Sequence, residues 1–432
     1  MFKNLKQLFS KKNKDLRKRI YFTLLVLTIY VIGISIEVPG TQEITKNLGF
    51  LELLNVMGGG ALKNFSIFAL GVSPYITASI IIQLLQMDII PYFSDLAKQG
   101  ATGQQKLNQI TRYVGIVFAF IQGYAMSFAF LGDAVGTIGY LKVALIMTAG
   151  TAFLLWLGDQ VTQKGLGNGV SLLIMAGIVY SLPSMMKTAF SSLIPNGISF
   201  TAESLLSLGS FILFLVVYLL IIVGVVWMEG AERRISIQYA NKSTTNLGKQ
   251  TFMPIKINSA GVIPVIFASS LLGIPATIAQ FINKPKFTNF VDTYLNYNEP
   301  VGFILFVVLI FFFAYFYTFV QMKPETMAKN LQNNGGYIPG IRPGEATKKY
   351  FTSVLARLTV VGAFALTLLA VLPILVNIFT PLPSSVQLGG TGLLIVVGVA
   401  IETYKQLEGS LLSREYSNSS SSRRGRTRRI KR

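Results

Sequence analysis

The chain contains no cysteine and no histidine. It therefore cannot form a disulfide, a cysteine nucleophile, or a haem or zinc site of the usual ligand types, and no imidazole can shuttle protons. A phosphate-binding loop of the form GxxxxGK[ST] is missing too, so nucleotide hydrolysis by the chain itself is not expected. Any energy it uses must come from a partner or a gradient, and no cofactor is implied. Charge is also scarce: 13% of the residues are charged and 52% hydrophobic, with a mean hydropathy of +0.55. Over 432 residues that balance excludes a set of soluble domains and points to a polytopic membrane protein.

What the chain does have is long apolar runs. A hydrocarbon layer of about 30 Å takes about 20 apolar residues. Ten runs suit it, at about 20–36, 72–87, 113–131, 143–158, 169–186, 205–227, 259–280, 301–320, 352–375 and 391–406. The first is too long for the apolar core of a secretory signal and no small-residue cleavage site follows, so it reads as a span. An even count puts both ends of the chain on one side. Of the 38 Lys and Arg residues, only Lys46, Lys63, Lys142, Lys187, Lys284 and Lys286 fall on the opposite side. Arg357 sits near the start of the ninth span, where it can snorkel outward. The basic side is cytoplasmic by the positive-inside rule.

Five spans precede the Leu182–Ser204 connection and five follow it. Because five is odd, two such halves sit in opposite orientations, the arrangement of inverted repeats with a site at their interface. No repeat is visible in the residues themselves. The expected divisions are a basic tail at 1–19, an N-terminal half at 20–186, an external connection at 187–204, a C-terminal half at 205–406 and a basic tail at 407–432.

One apolar stretch is interrupted. Gly58–Leu85 reads GGGALKNFSIFALGVSPYITASIIIQLL, with three glycines, Lys63, Gly71 and Pro74. Broken backbone at membrane depth is tolerated only where protein or water surrounds it. The pattern predicts a loosely held half-helix at about Ala61–Leu70, a break near Gly71–Pro74, then a firm span to Leu85. A kinked helix in an ordinary bundle is the alternative.

Two connections on the basic side, 228–256 and 321–350, exceed what connectivity needs, and both suit docking surfaces. In the first, the alternating Arg234-Ile-Ser-Ile-Gln-Tyr predicts a strand of a small hairpin. In the second, GGYIPGIRPGE places Arg342 on an ordered turn. The end of the chain, SNSSSSRRGRTRRIKR, is basic and low in complexity, a composition suited to anionic phospholipid headgroups or to ribosomal RNA.

Inside the spans nothing acidic lies centrally: Glu37, Asp88, Asp159, Glu229, Glu232 and Glu402 are near span ends or in loops. A proton relay is thus poorly supported. A collar of aliphatic side chains can still gate by dewetting, and it offers no polar partner that would select one substrate. Composition alone does not separate such a collar from core packing, and a secondary transporter with a broken-helix site stays open.

The specific signals lie in longer segments. They are Gly58–Leu85, WLGDQVTQKGLGNGVS (Trp156–Ser171), PIKINSAGVIPVIFASS (Pro254–Ser270), YIPGIRPGEATKKY (Tyr337–Tyr350), RLTVVGA (Arg357–Ala363) and GGTGLLIVVGVAIE (Gly389–Glu402). In order and at family spacing, they closely resemble SecY, the channel family of the bacterial protein-translocation complex, most of all its Gram-positive members. The resemblance implies an all-α polytopic fold of ten transmembrane helices in two inverted five-helix halves around a central pore. It also implies a plasma-membrane location and no enzymatic activity.

Residue by residue, the resemblance implies a plug at Gly58, Gly59, Gly60, Ala61, Leu62, Lys63, Asn64, Phe65, Ser66, Ile67 and Phe68. An aliphatic pore ring falls on Val72, Ile76, Ile174, Ile266 and Ile395, with Ser270 nearby. A lateral gate falls on the second span, with Pro74, Thr77, Ile81 and Gln83, and on the seventh, with Pro264 and Ser269. Docking of the motor ATPase SecA or the ribosome falls on Arg233, Arg234, Lys242, Lys249, Arg342, Lys348 and Lys349. Implied partners are SecE, SecG, SecA, the ribosome, signal sequences and nascent chains, anionic phospholipids and a second copy of the channel. Two departures stand out. Gln104 and Gln105 occupy positions that are usually basic, and the serine-rich basic tail is unusual, which leaves room for an accessory paralogue with a narrower substrate set.

Overall fold

The computed structural model describes residues 14–41, 52–87, 89–131, 136–194, 202–239, 251–282, 284–296, 299–379 and 392–411. Lys242, Lys249, residues 1–13, 195–201 of the connection between halves, and 412–432 of the basic tail lie outside the described residues.

The first half comprises α1 (Lys14–Ile34), α2 (Glu52–Met57), α3 (Ser73–Leu85), α4 (Pro91–Lys98), α5 (Ala101–Leu131), α6 (Gly136–Lys164) and α7 (Gly169–Leu193). The second half begins with α8 (Ala202–Gly230), strands β1 (Glu232–Tyr239) and β2 (Thr251–Lys256), and α9 (Ile263–Ile282). It continues with α10 (Pro285–Tyr294), α11 (Pro300–Met322), α12 (Pro324–Asn333), β3 (Gly336–Tyr337) and α13 (Glu345–Phe379), and ends in α14, a helix over 392–411. Among the described residues, six helices are long and apolar enough to cross a bilayer, and α3 and α9 are apolar but shorter. With α1 and α14 they make the ten spans of a helical membrane protein.

Helix starts and faces follow from local chemistry. Proline opens α3, α4, α10, α11 and α12, where its missing N–H costs nothing and its fixed φ suits the first turn. Pro74 therefore starts α3 instead of breaking a longer helix. Lys323, with φ of 39°, ends α11 and caps α12, turning the chain sharply between them. Along α11, Val301, Ile304, Val308 and Phe312 form an exposed stripe at helical spacing, while Phe306, Ile310 and Phe313 are buried. The first set faces lipid and the second faces protein.

The halves meet along two lines. α9 packs against α3 and α5, and α7 packs against α8. One apolar core runs through both halves, drawing on Tyr30, Ile76 and Leu154 from the first and Ile266, Phe313 and Leu394 from the second. α7 continues to Leu193, so the connection between the halves starts later than the expected residue 187.

The predicted hairpin is present, and it is larger than expected. β1 pairs antiparallel with β2, and its far end pairs with β3 from the second long connection, giving the order β2-β1-β3. Beneath the sheet, Ile235, Ile237 and Ile255 pack with Leu331, Ile338, Phe351 and Leu355. Two connections far apart in the chain are thus one folded unit. Its base is pinned by Glu229, buried at the end of α8. Asn258 Nδ2 donates to the Glu229 carboxylate at 2.9 Å, and Lys405 Nζ from α14 donates to the Glu229 carbonyl at 2.8 Å. Replacing Asn258 by Leu removes the hydrogen bonds from Nδ2 to the buried Glu229 carboxyl group and to the Gly261 carbonyl. It should cost about 1.5–3 kcal/mol, read as a lower thermal unfolding midpoint of the detergent-solubilised protein.

Candidate functional site at the constriction

α3 is the shortest span, and 13 residues at about 1.5 Å each reach about 20 Å, well short of the hydrocarbon thickness. The missing depth is occupied by the chain that precedes it. Val72 is the N-cap of α3 and Ile76 follows one turn later on the same face. Ile174 comes from α7, Ile266 and Ser270 from one face of α9, and Ile395 from α14. All six are buried, and the five aliphatic residues belong to a single apolar cluster drawn from both halves. Val72, Ile76 and Ile174 line a cavity of about 20 Å³ together with Tyr30, Met57, Gly58, Leu70, Gly71 and Ser73. That is room for about one water molecule, so neither a polypeptide nor a hydrated ion fits in it.

Residues 58–72 are not the expected half-helix. They form a succession of turns, and the helical turn lies earlier, in α2. Nor is the segment loosely held: Ala61, Leu62, Phe65, Ser66 and Phe68 are all buried, with Lys63 exposed. The reason is backbone satisfaction. Gly59 and Gly60, at φ of 73° and 82°, turn the chain so that the Gly60 N–H donates to the Asn55 carbonyl at 2.8 Å. The Lys63 N–H donates to Asn55 Oδ1 at 3.0 Å. Farther along, the Val38 N–H donates to the Phe65 carbonyl and the Ile67 N–H to the Ile36 carbonyl, each at 2.9 Å, a single antiparallel bridge to the end of α1. The Thr151 hydroxyl donates to the Gly71 carbonyl at 3.3 Å. Together with short-range turn bonds, such as that from the Ser66 N–H to the Ala61 carbonyl at 3.0 Å, these partners replace the regular i to i−4 ladder of a helix.

Two glycines set the depth of the seat. A side chain at Gly150 of α6 would overlap the Ile67 carbonyl, and one at Gly177 of α7 would overlap the Met57 carbonyl. Phe68 stacks between Tyr30 and Phe153, at ring-centroid distances of 6.0 and 6.2 Å. The sequence reading missed Asn55, Gly150, Thr151 and Gly177. The available signal was a lone glycine inside an apolar helical run, which usually marks a close approach.

The other named residues divide by position. Pro74, Thr77, Pro264 and Ser269 are buried, whereas Ile81 and Gln83 are half-buried. The Thr77 and Ser269 hydroxyls bond back to the Ser73 and Val265 carbonyls, and Gln83 Nε2 donates to Ser79 Oγ at 2.9 Å. These residues sit on α3 and α9, the helices that meet at the seam between the halves. Arg233, Arg234, Arg342 and Lys349 are exposed on or beside the sheet unit. Arg234 is paired with Glu232 at 3.0 Å, and Lys348 lies 3.6 Å from Glu325 and 3.5 Å from Glu345. The Arg342 carbonyl accepts from Thr347 Oγ1 at 2.9 Å, which fixes the turn while leaving the guanidinium free to reach outward.

Two helical halves that share one apolar core, with a turn-built segment packed into it, form a polytopic membrane protein of the channel class. The family model SecY matches residues 66–404. The chain is 48% identical over 430 residues to the protein translocase subunit SecY of Staphylococcus epidermidis, covering 96% of this chain and 99% of that one. It is likewise 48% identical over 423 residues to the subunit of Staphylococcus aureus, covering 94% and 96%. Among solved structures, one described as a protein conducting channel aligns with a TM-score of 0.66 at 18% identity, covering 92% of this chain and 93% of that one. A structure concerned with the plug domain of SecY aligns at 0.65 with 21% identity over the same shares, and canine Sec61 in a ribosome-channel complex aligns at 0.62 with 18% identity, again over 92% and 93%. The chain belongs to the SecY family.

The seat is directly testable because the chain has no cysteine of its own. A single Ser66→Cys reporter, at a fully buried position, should react slowly with maleimide. Adding Gly150→Ala should speed that reaction, whereas Gly209→Ala, at a position with open space around it, should leave it unchanged.

Proposed function

We propose that the chain is the central subunit of a protein-conducting channel of the plasma membrane, with both termini and the three-stranded sheet on the cytoplasmic side. It moves unfolded preproteins across the bilayer and releases hydrophobic segments into it. The observation that carries this reading is that Val72, Ile76 and Ile174 line one small cavity of about 20 Å³ and share a single buried apolar core with Ile266 and Ile395 of the other half. Near-full-length similarity to staphylococcal translocase subunits supports it.

In this reading the aliphatic residues form the pore ring, and residues 58–68 form the plug. A narrow ring of Val and Ile strips hydration from ions without offering replacement ligands, yet closes around any polypeptide because it makes no specific polar bond. The plug stays seated at rest. Exposing Leu62, Phe65 and Phe68 to water would cost about 1.5–3 kcal/mol each. A signal sequence parts α3 from α9, binds the open arrangement better than the closed one, and so shifts the equilibrium between them. Thr77, Ile81, Gln83 and Ser269, with Pro74 and Pro264 at the helix starts, belong to this lateral gate. The two halves swing about the connection between α7 and α8.

The channel does no chemistry on its substrate, so work comes from partners. Arg342, on a turn held by its own carbonyl, suits a carboxylate or phosphate of SecA or of ribosomal RNA, with Arg233, Arg234, Lys242, Lys249, Lys348 and Lys349 around it. Ribosome engagement is supported by the similarity of fold to canine Sec61 in a ribosome-channel complex and to a yeast Ssh1 complex bound to the 80S ribosome. SecE and SecG complete the assembly, and the basic end of the chain meets anionic phospholipid.

A stalled preprotein should crosslink to photoprobes at Ile76, Ile174 and Ile395; labelling confined to lipid-facing positions such as Ile304 would reject the pore. Deleting 58–68 should raise ion conductance or relax signal-sequence stringency in reconstituted vesicles. Arg342→Glu should impair SecA-driven or ribosome-coupled translocation while leaving the protein inserted and folded.

A further inference from the structure

α10 lies between two spans on the membrane face opposite the sheet. α9 leaves the sheet side and crosses, α10 follows directly after Lys284, and α11 crosses back from Pro300. Its ten residues extend about 15 Å, too short to cross and long enough to lie flat at headgroup depth.

The helix has three faces where a water-covered helix needs two. Phe287, Val291 and Leu295 pack into the main core and hold α10 against its neighbours α9 and α11. Asn289 and Asp292 form a polar, exposed face. Between these, Phe290 and Tyr294 stand one turn apart with ring centroids at 5.1 Å, and they are 51% and 47% exposed. At about 100° per residue, the ring pair lies opposite Asp292 and forms the exposed edge of the apolar stripe, centred about 80° from its core-facing residues. Exposed aromatic residues at the end of a span are the pattern of a membrane–water interface, where rings favour the headgroup level. In the adjoining helix ends, Ile278 and Ile282 on α9 and Val301 and Ile304 on α11 are exposed as well. Lys284 and Lys286, both exposed, flank the first turn, where they can meet lipid phosphates.

We propose that α10 is an interfacial membrane anchor, with Phe290 and Tyr294 inserted among the lipid headgroups and Asp292 in water. Its occupant is the lipid surface itself. Because α9 packs across the seam on α3 and α5, the anchor holds the far end of that helix at fixed depth, so that end moves within the membrane plane and not along its normal. The proposal requires only that the chain spans a bilayer, so it stands or falls separately from translocation.

Single nitroxide labels on Phe290→Cys, Tyr294→Cys and Asp292→Cys test it, using the full chain in vesicles of phosphatidylethanolamine and phosphatidylglycerol. The labels at 290 and 294 should relax faster with oxygen, which concentrates in lipid, than with an aqueous nickel chelate; the label at 292 should show the reverse. Nickel access at 290 and 294 equal to that at 292 overturns the anchor. Exclusion of both reagents overturns it too, since the face would then be covered by protein. Thr293→Cys, exposed beside the ring pair, repeats the measurement with both rings in place and should give intermediate access. Full nickel access there, together with equal access at 290, would again reject the proposal.

Discussion

Every backbone N–H and C=O at membrane depth must find a partner other than water, and the most distinctive part of this protein is a segment that meets the demand without being a helix. The turns of 58–71 hand their polar groups to Asn55, to Ile36 and Val38 at the end of α1, and to Thr151 on α6. Each of those partners belongs to a different piece of the first half. The segment is consequently ordered only while α1, α2 and α6 hold their relative positions. As the proposed plug, a segment built this way would be firm in the closed arrangement and released when its partners part.

The aliphatic waist works on the complementary principle. Val72, Ile76, Ile174, Ile266 and Ile395 offer dispersion and exclusion of water, and nothing directional. Because they come from both halves, the closed state depends on the seam where α9 meets α3 and α5. In the proposed reading, separation along that seam would open the waist and strip the turn segment of apolar neighbours together.

On the sheet face the same economy appears in polar form. β1 is shared between β2, from its own connection, and β3, from a connection about a hundred residues away. Arg342 and the arginines of β1 are in this way carried on one folded unit, whose base is tied by Glu229, Asn258 and Lys405 to α8 and α14. A partner bearing on the sheet would press on the C-terminal half through buried hydrogen bonds instead of through slack loops.

Much of this was legible in the residues. The ten apolar runs, the sidedness of charge, the strand at Arg234, the ordered turn at Arg342 and the i, i+4 pairing of Val72 with Ile76 all rest on local periodicity and local chemistry, which a linear chain displays openly. The conformation of 58–71 was not legible, nor were the glycine seats at 150 and 177, the β1–β3 pairing, or the third face of α10. Those depend on which groups from distant segments come to lie beside a given backbone amide or ring, and a helix-length apolar pattern is silent about partners supplied by another helix. Composition and order alone determined that the chain crosses a membrane ten times and which family it resembles. Only the tertiary packing decided that its interrupted stretch is a buried, turn-built segment, because the hydrogen bonds that tie it to Ile36, Val38 and Thr151 join it to elements remote in sequence.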